Sequence, residues 1–138
     1  MSEPTWTLVD SNVWLDVLGG PSSWRGWSEA ALARAFDEGP LCFNAIIYAE
    51  VSVRYDAVED LDRDISAHAV VREPLPYEAA FLAGKAFAEY RCRGGTKRSP
   101  LPDFYIGAHA AVRGYRLLTR DTARFTTYFP KLDVIGPE

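Results

Sequence analysis

The sequence predicts an α/β sandwich built on a mostly parallel sheet, and three observations predict it. Short apolar runs, Thr7-Leu8-Val9, Leu41-Cys42-Phe43 and Leu117-Leu118, alternate with longer segments of helical periodicity. The first run passes directly into Asp10, and the last turns polar at Thr119-Arg120-Asp121. The segment that begins Pro102-Asp103 reads as a helix opening on a carboxylate, with Pro102 at the first helical position, where a missing N–H costs nothing. In a parallel sheet the strand C-termini share one edge, the following helices begin near it, and ligands bind there.

The elements follow in order. Residues 7–9 form a strand, and Ser11-Asn12 turns the chain into a helix over 13–18 that stops at Gly19-Gly20-Pro21. Ser22 or Ser23 can cap a second helix, in which Trp24, Trp27, Ala31 and Ala35 keep helical spacing until Gly39-Pro40 ends it. After the strand at 41–43, Asn44 is the natural cap of a helix over 45–55. A further helix spans 58–70, with Leu61, Ile65 and Ala69 as its apolar stripe, and 71–75 is a short third strand. The next helix, 77–91, carries Tyr77, Phe81, Gly84 and Ala88 along one face. A basic, glycine-bearing loop at 91–98 leads into the Pro102 helix, which Gly114 stops. Phe125, Tyr128 and Phe129 form an aromatic cap, and 132–135 is a terminal strand.

At 138 residues the chain reads as one domain, residues 1–138, long enough for a real core. No apolar run approaches the ~20 residues that cross a bilayer, so no membrane partner is expected. The N-terminus lacks the basic and apolar regions of a secretory leader, which makes the cytoplasm the expected location. Cys42 and Cys92 are too few and too far apart for a metal knuckle or redox pair, and Cys42 reads as a small core residue. A net charge of −4 argues against generic, charge-driven nucleic-acid binding. It leaves room for an enzyme whose acidic site carries its own cations.

Asp10, Asp103 and Asp121 can all reach the strand-end edge. Glu50 makes a fourth acid. It stands six residues beyond Asn44, roughly 9 Å up its helix, and its neighbours Ile46, Ile47 and Val53 place it on a buried face. Each acid also has a structural explanation: a favourable helix dipole for Asp103, turn formation for Asp10 and Asp121, an ion pair with Arg54 for Glu50. Asp16, on the first helix, fits a surface or supporting role. Together the four are harder to explain by structure alone. Two carboxylates ~5 Å apart repel by roughly 3 kcal/mol at an effective dielectric near 20, so such a cluster needs protons or cations. Oxygen-only ligands favour Mg²⁺ or Mn²⁺, and that chemistry suits phosphoesters. His68 and His109 lack zinc-like partners. Ser11 and Asn12 can support Asp10, Thr119 can support Asp121, and Arg91, Arg93, Lys97 and Arg98 can contact phosphate.

Val9-Asp10-Ser11-Asn12-Val13, Tyr48-Ala49-Glu50-Val51, Leu101-Pro102-Asp103-Phe104-Tyr105-Ile106-Gly107-Ala108 and Leu118-Thr119-Arg120-Asp121 with Phe125 resemble, in order, the motifs of the PIN domain. The similarity is greatest to the VapC-type toxins of bacterial toxin–antitoxin pairs. The resemblance implies a three-layer α/β/α sandwich with an acidic Mg²⁺/Mn²⁺ site on Asp10, Glu50, Asp103 and Asp121. It also implies endoribonuclease activity that leaves a 5′-phosphate and a 3′-hydroxyl, a homodimer, and a cognate VapB-like antitoxin. Family members differ in whether the last acid ligates metal directly. The competing expectations are a catalytically inactive PIN-like binding module, a housekeeping RNA-processing nuclease, and a phosphatase with a nucleophilic strand-end aspartate. Asp10-Ser11-Asn12 lacks the second aspartate that such a phosphatase uses.

Overall fold

A computed structural model of the chain describes residues 3–97 and 101–138. The strands are β1 (Thr7–Val9), β2 (Leu41–Phe43), β3 (Val71–Arg72), β4 (Arg116–Leu118) and β5 (Val134–Ile135). The helices are α1 (Ser11–Leu18), α2 (Arg25–Glu38), α3 (Ala45–Ser52), α4 (Val58–Ser66), α5 (Tyr77–Cys92), α6 (Pro102–Arg113) and α7 (Thr122–Thr126). The strands form one sheet in the order β3-β2-β1-β4-β5, and every pairing is parallel.

β1 is central and buried on both faces, as are β2 and the end of β4, which is why these strands read as unbroken apolar runs. The chain steps from β1 to β2 to β3 in one direction and then returns past β1 to β4. Right-handed crossovers therefore put α5 and α6 on the face opposite α1–α4. The side chains agree: Ala79, Ala83 and Ala86 of α5 pack with Phe104 and Ala108 of α6 and with Phe129 as a cluster separate from the main core. Small alanines let the two helices lie close. Gly107 makes room on α6 for the C-terminal aromatic rings, since a Cβ there would stand 2.5 Å from the Phe129 ring. Among the described residues no helix is long and apolar enough to cross a membrane.

Several local expectations are corrected. Helix α1 begins at once at Ser11, because Asp10 itself caps it. The N-cap of α2 is Trp24, with no side-chain cap; the Ser22 hydroxyl accepts the Trp24 backbone N–H at 3.1 Å and donates to Asp16. Helix α3 ends at Ser52, short of 55. Helix α4 ends at Ser66, and Ala69 adopts φ +52°, so Leu61 and Ile65 are buried while Ala69 is exposed. The largest correction concerns α5. Its buried stripe is Ala79-Ala83-Ala86, whereas Tyr77 and Phe81 are 91% and 69% exposed. Size misled the reading: the neighbouring helix admits alanines and leaves the large rings outside.

Candidate active site

The strand order reverses between β1 and β4, and the crevice at their C-terminal ends is where an open parallel sheet binds ligands. Asp10 emerges there, its backbone N–H donating to the Leu118 carbonyl at 2.9 Å. As N-cap of α1 it accepts the Ser11 backbone N–H on Oδ1 at 2.8 Å, while Oδ2 accepts the Thr119 hydroxyl at 2.8 Å. Asp10 is only 4% exposed. Burial pushes its carboxyl up to about 6 against the pull of these two hydrogen bonds, and the negative charges of Asp103 and Glu50 add to the rise.

Ser11 links the first acid to the second, its hydroxyl donating to Glu50 Oε1 at 3.0 Å. Glu50 is half-buried. The buried residues of α3 are Ile47 and Val51, with Val53 exposed, so Glu50 lies at the margin of the apolar face rather than inside it. Burial raises its carboxyl, the Ser11 bond lowers it, Asp103 raises it and Arg124 lowers it. Asp103, in the first turn of α6, is likewise raised by burial and lowered by Arg124, whose Nη1 stands 3.2 Å from its Oδ2. Asp121 is exposed, at the N-cap of α7, and its Oδ2 lies 3.4 Å from the Asn12 amide nitrogen.

Thr119 and Asn12 tie the first acid to the last. Thr119, expected to support Asp121, donates its hydroxyl to Asp10 and accepts from the Asn12 side chain at 3.2 Å and the Asp121 backbone N–H at 3.1 Å. Asn12 Oδ1 accepts the Arg120 backbone N–H at 3.2 Å. Hydrogen bonds thus join Asp10, Glu50 and Asp121, while Asp103 lines one cleft with Glu50. Among the described residues no three His, Cys, Asp or Glu side chains stand close enough to hold an ion together.

The residue that sequence reasoning undervalued is Arg120. Its guanidinium grips the buried Asp16 with two bonds, of 2.7 and 3.1 Å, and lies 5.3 Å from the Trp24 ring centre. Ser22 and Ser28 donate their hydroxyls to the same carboxylate at 2.8 and 2.6 Å. Because Arg120 sits between Thr119 and Asp121, this pair fixes the segment that carries both. Asp16 is therefore the supporting group of the two expected roles. An arginine flanked by two site residues was the available signal.

Of the basic loop, Arg91 donates to the Lys97 carbonyl, and Arg93 pairs with Glu89 and covers the Tyr128 ring at 5.3 Å. Arg98 lies outside the described residues. His109 is fully buried, its Nδ1 2.9 Å from the Asn44 amide and its Nε2 3.0 Å from Glu73. The Asn44 oxygen already caps α3, so its amide donates to Nδ1, and the imidazole proton sits on Nε2 facing Glu73.

An acid cluster of oxygen donors at the switch point of a parallel sheet defines an α/β protein with a strand-end acidic site. Comparison with known proteins gives the family: the model of the PIN domain matches residues 7–128, and the chain belongs to that family. No curated protein matches the sequence significantly. Among solved structures, VapBC2 from Rickettsia felis bound to a promoter DNA fragment is similar at TM-score 0.69 and 17% identity, covering 97% of this chain and 100% of that one. A toxin–antitoxin complex from Klebsiella pneumoniae is similar at TM-score 0.68 and 23% identity, with coverage of 96% and 98%. FitAcB from Neisseria gonorrhoeae follows at 0.66 and 21%, with coverage of 95% and 97%. These are likenesses of fold.

Proposed function

We propose that the chain is a Mg²⁺- or Mn²⁺-dependent endoribonuclease and the toxin of a toxin–antitoxin pair. The observation that carries the reading is Asp10: a carboxylate almost wholly buried at the switch point, pushed up to about 6, in the fields of two further acids and, among the described residues, touching no cation. Such a group is unfavourable unless something positive comes to it. The donor set fits a hard divalent ion, since Asp10, Glu50, Asp103 and Asp121 offer only oxygen. Asp103 would have to leave Arg124 and draw toward Asp10 and Glu50 to share it. When bound, the ion would activate water and neutralise charge developing on phosphate.

The chain's own residues do the rest. Ser11 holds Glu50 and Asp10 in register, and Thr119 fixes the face that Asp10 presents. Asn12 keeps Asp121 within reach. Arg93, which lies over Tyr128, supports a basic rim for the RNA backbone, with Arg91 and Lys97 in the same segment. The exposed Tyr77 and Phe81 on α5 support a homodimer through that helix. A cleft along α2 and the end of α4, containing Leu32, Phe36 and His68, supports an antitoxin helix laid across it. Trp24 and Trp27 flank the other side of α2, with Trp24 engaged by Arg120. An antitoxin Arg reaching the acids is the simplest inhibitor, because its planar fork binds carboxylates bidentately. The reading places this work in the cytoplasm, where RNA and antitoxin are made.

The test is cleavage of single-stranded RNA by purified protein with Mg²⁺ or Mn²⁺, by wild type and by Asp10→Asn. The wild type cuts RNA and leaves small phosphomonoesters intact, and folded Asp10→Asn loses at least about 100-fold in rate. Cleavage by folded Asp10→Asn at the wild-type rate removes the proposal. Co-expression with the small open reading frame beside the gene tests the toxin reading, since a complex that retains full activity favours an RNA-processing enzyme.

A further inference from the structure

Beside the acids lies a cleft of about 470 Å³, lined by Glu50, Asp103 and Arg124 and by the rings of Tyr90, Phe104 and Tyr128. That volume falls in the range of small-ligand pockets. The rings are ordered by one another. Phe104 is buried, and Tyr128 meets it edge-on at 5.3 Å and 89°. Tyr90 also packs on Phe104, at 5.7 Å, and its ring is stacked on Phe87 at 6.0 Å, so it serves as a wall. Tyr128 carries the Arg93 guanidinium at 5.3 Å. An aromatic ring and a guanidinium plane are the two surfaces on which unpaired bases stack.

Arg124 gives the cleft a phosphate-binding group. Among the described residues it is the one cation in contact with any of the four acids, and its side chain is largely in solvent. A cation arriving at Asp103 frees this guanidinium, which stays anchored on α7 one turn beyond Asp121. We propose that the cleft is a nucleotide subsite of the acidic site, receiving one unpaired RNA base on Tyr128 and the adjoining phosphate on Arg124. This rests on the ribonuclease reading and assigns its base and phosphate contacts to Tyr128 and Arg124. A base held in a duplex has both faces covered by its neighbours and cannot enter.

The test is an abasic scan. Wild-type protein with Mn²⁺ is given a single-stranded RNA oligonucleotide, its duplex, and versions lacking one base at each position around the cut. The proposal expects the duplex to resist and one abasic position beside the cut to lower kcat/KM about tenfold. Tyr128→Leu lowers kcat/KM on the intact strand by a similar factor and no longer senses the missing base, whereas Tyr128→Phe, which keeps the ring, still senses it. Independently of cleavage, 5-bromouridine RNA irradiated with wild-type protein in Ca²⁺, an oxygen-seeking cation that frees Arg124 from Asp103, crosslinks to the peptide containing Tyr128. Failure of the wild type to cut any RNA overturns the ribonuclease reading and this proposal with it. Cleavage that ignores every missing base, or a crosslink mapping elsewhere or absent, overturns the subsite alone.

Discussion

Asp10 and Asp16 stand at the two ends of α1 and are buried almost equally, 4% and 3% exposed, yet their surroundings are opposite. Asp16 faces a bidentate arginine and two serine hydroxyls, so its charge is met within the chain. Among the described residues Asp10 receives neutral donors, from Ser11, Thr119 and Asn12, and the charges of Asp103 and Glu50 repel it. Burial alone does not separate a structural acid from a functional one. What separates them is whether the protein supplies the counter-charge.

The largest effect on stability should come from the satisfied end. Asp16→Ala leaves the Arg120 guanidinium without its buried carboxylate and should cost about 3–5 kcal/mol, read by urea denaturation. Asp10→Asn, which removes a repelled charge, should leave the metal-free protein as stable as wild type or more so. Equal losses in the two variants would erase the distinction.

A smaller effect comes from pH. Asp10 titrates at about 6 in the fold against 3.8 in a free side chain, so in that interval the folded chain binds a proton that the unfolded chain has released. Its contribution therefore favours the fold at low pH and is lost as pH rises through 6, a span worth about 3 kcal/mol. Glu50 and Asp103 shift in the same direction and act in the same sense. The thermal midpoint in EDTA should be higher at about pH 5.5 than at about pH 8, and Asp10→Asn should flatten that slope. A midpoint that climbs with pH in the wild type would show that Asp10 is paired after all.

Smallest is the change at Glu50. Mn²⁺ should raise the wild-type midpoint by a few degrees, because it binds the folded form and relieves repulsion among the acids. Glu50→Gln should reduce that rise by about half, a rough figure for one of several ligands. Identical rises by scanning calorimetry would make Glu50 structural.

The parts of the molecule legible in the sequence are those governed by local chemistry. Pro102 and Gly114 bracket α6, Asn44 caps α3, and the buried strands announce themselves as apolar runs followed by Asp10 and by Thr119. Because parallel strands deliver their C-termini to one edge, three of the acids could be placed together from pattern alone. What depends on distant packing was not legible. The exposed Tyr77 and Phe81 looked like a core stripe, since nothing local says that α6 meets α5 along its Ala79-Ala83-Ala86 face. The Asp16–Arg120 pair spans 104 residues of sequence and forms only once β1 and β4 lie side by side.

The most direct measurement is a calorimetric titration of Mn²⁺ into metal-free protein near neutral pH, with wild type, Asp10→Asn and Arg34→Gln side by side. Arg34 is exposed on α2 and serves as a control for surface charge. The account predicts saturable binding by wild type and by Arg34→Gln, and loss of that binding in Asp10→Asn. No binding by the wild type, or the same affinity in Asp10→Asn, would mean that the uncompensated carboxylate is not waiting for a cation.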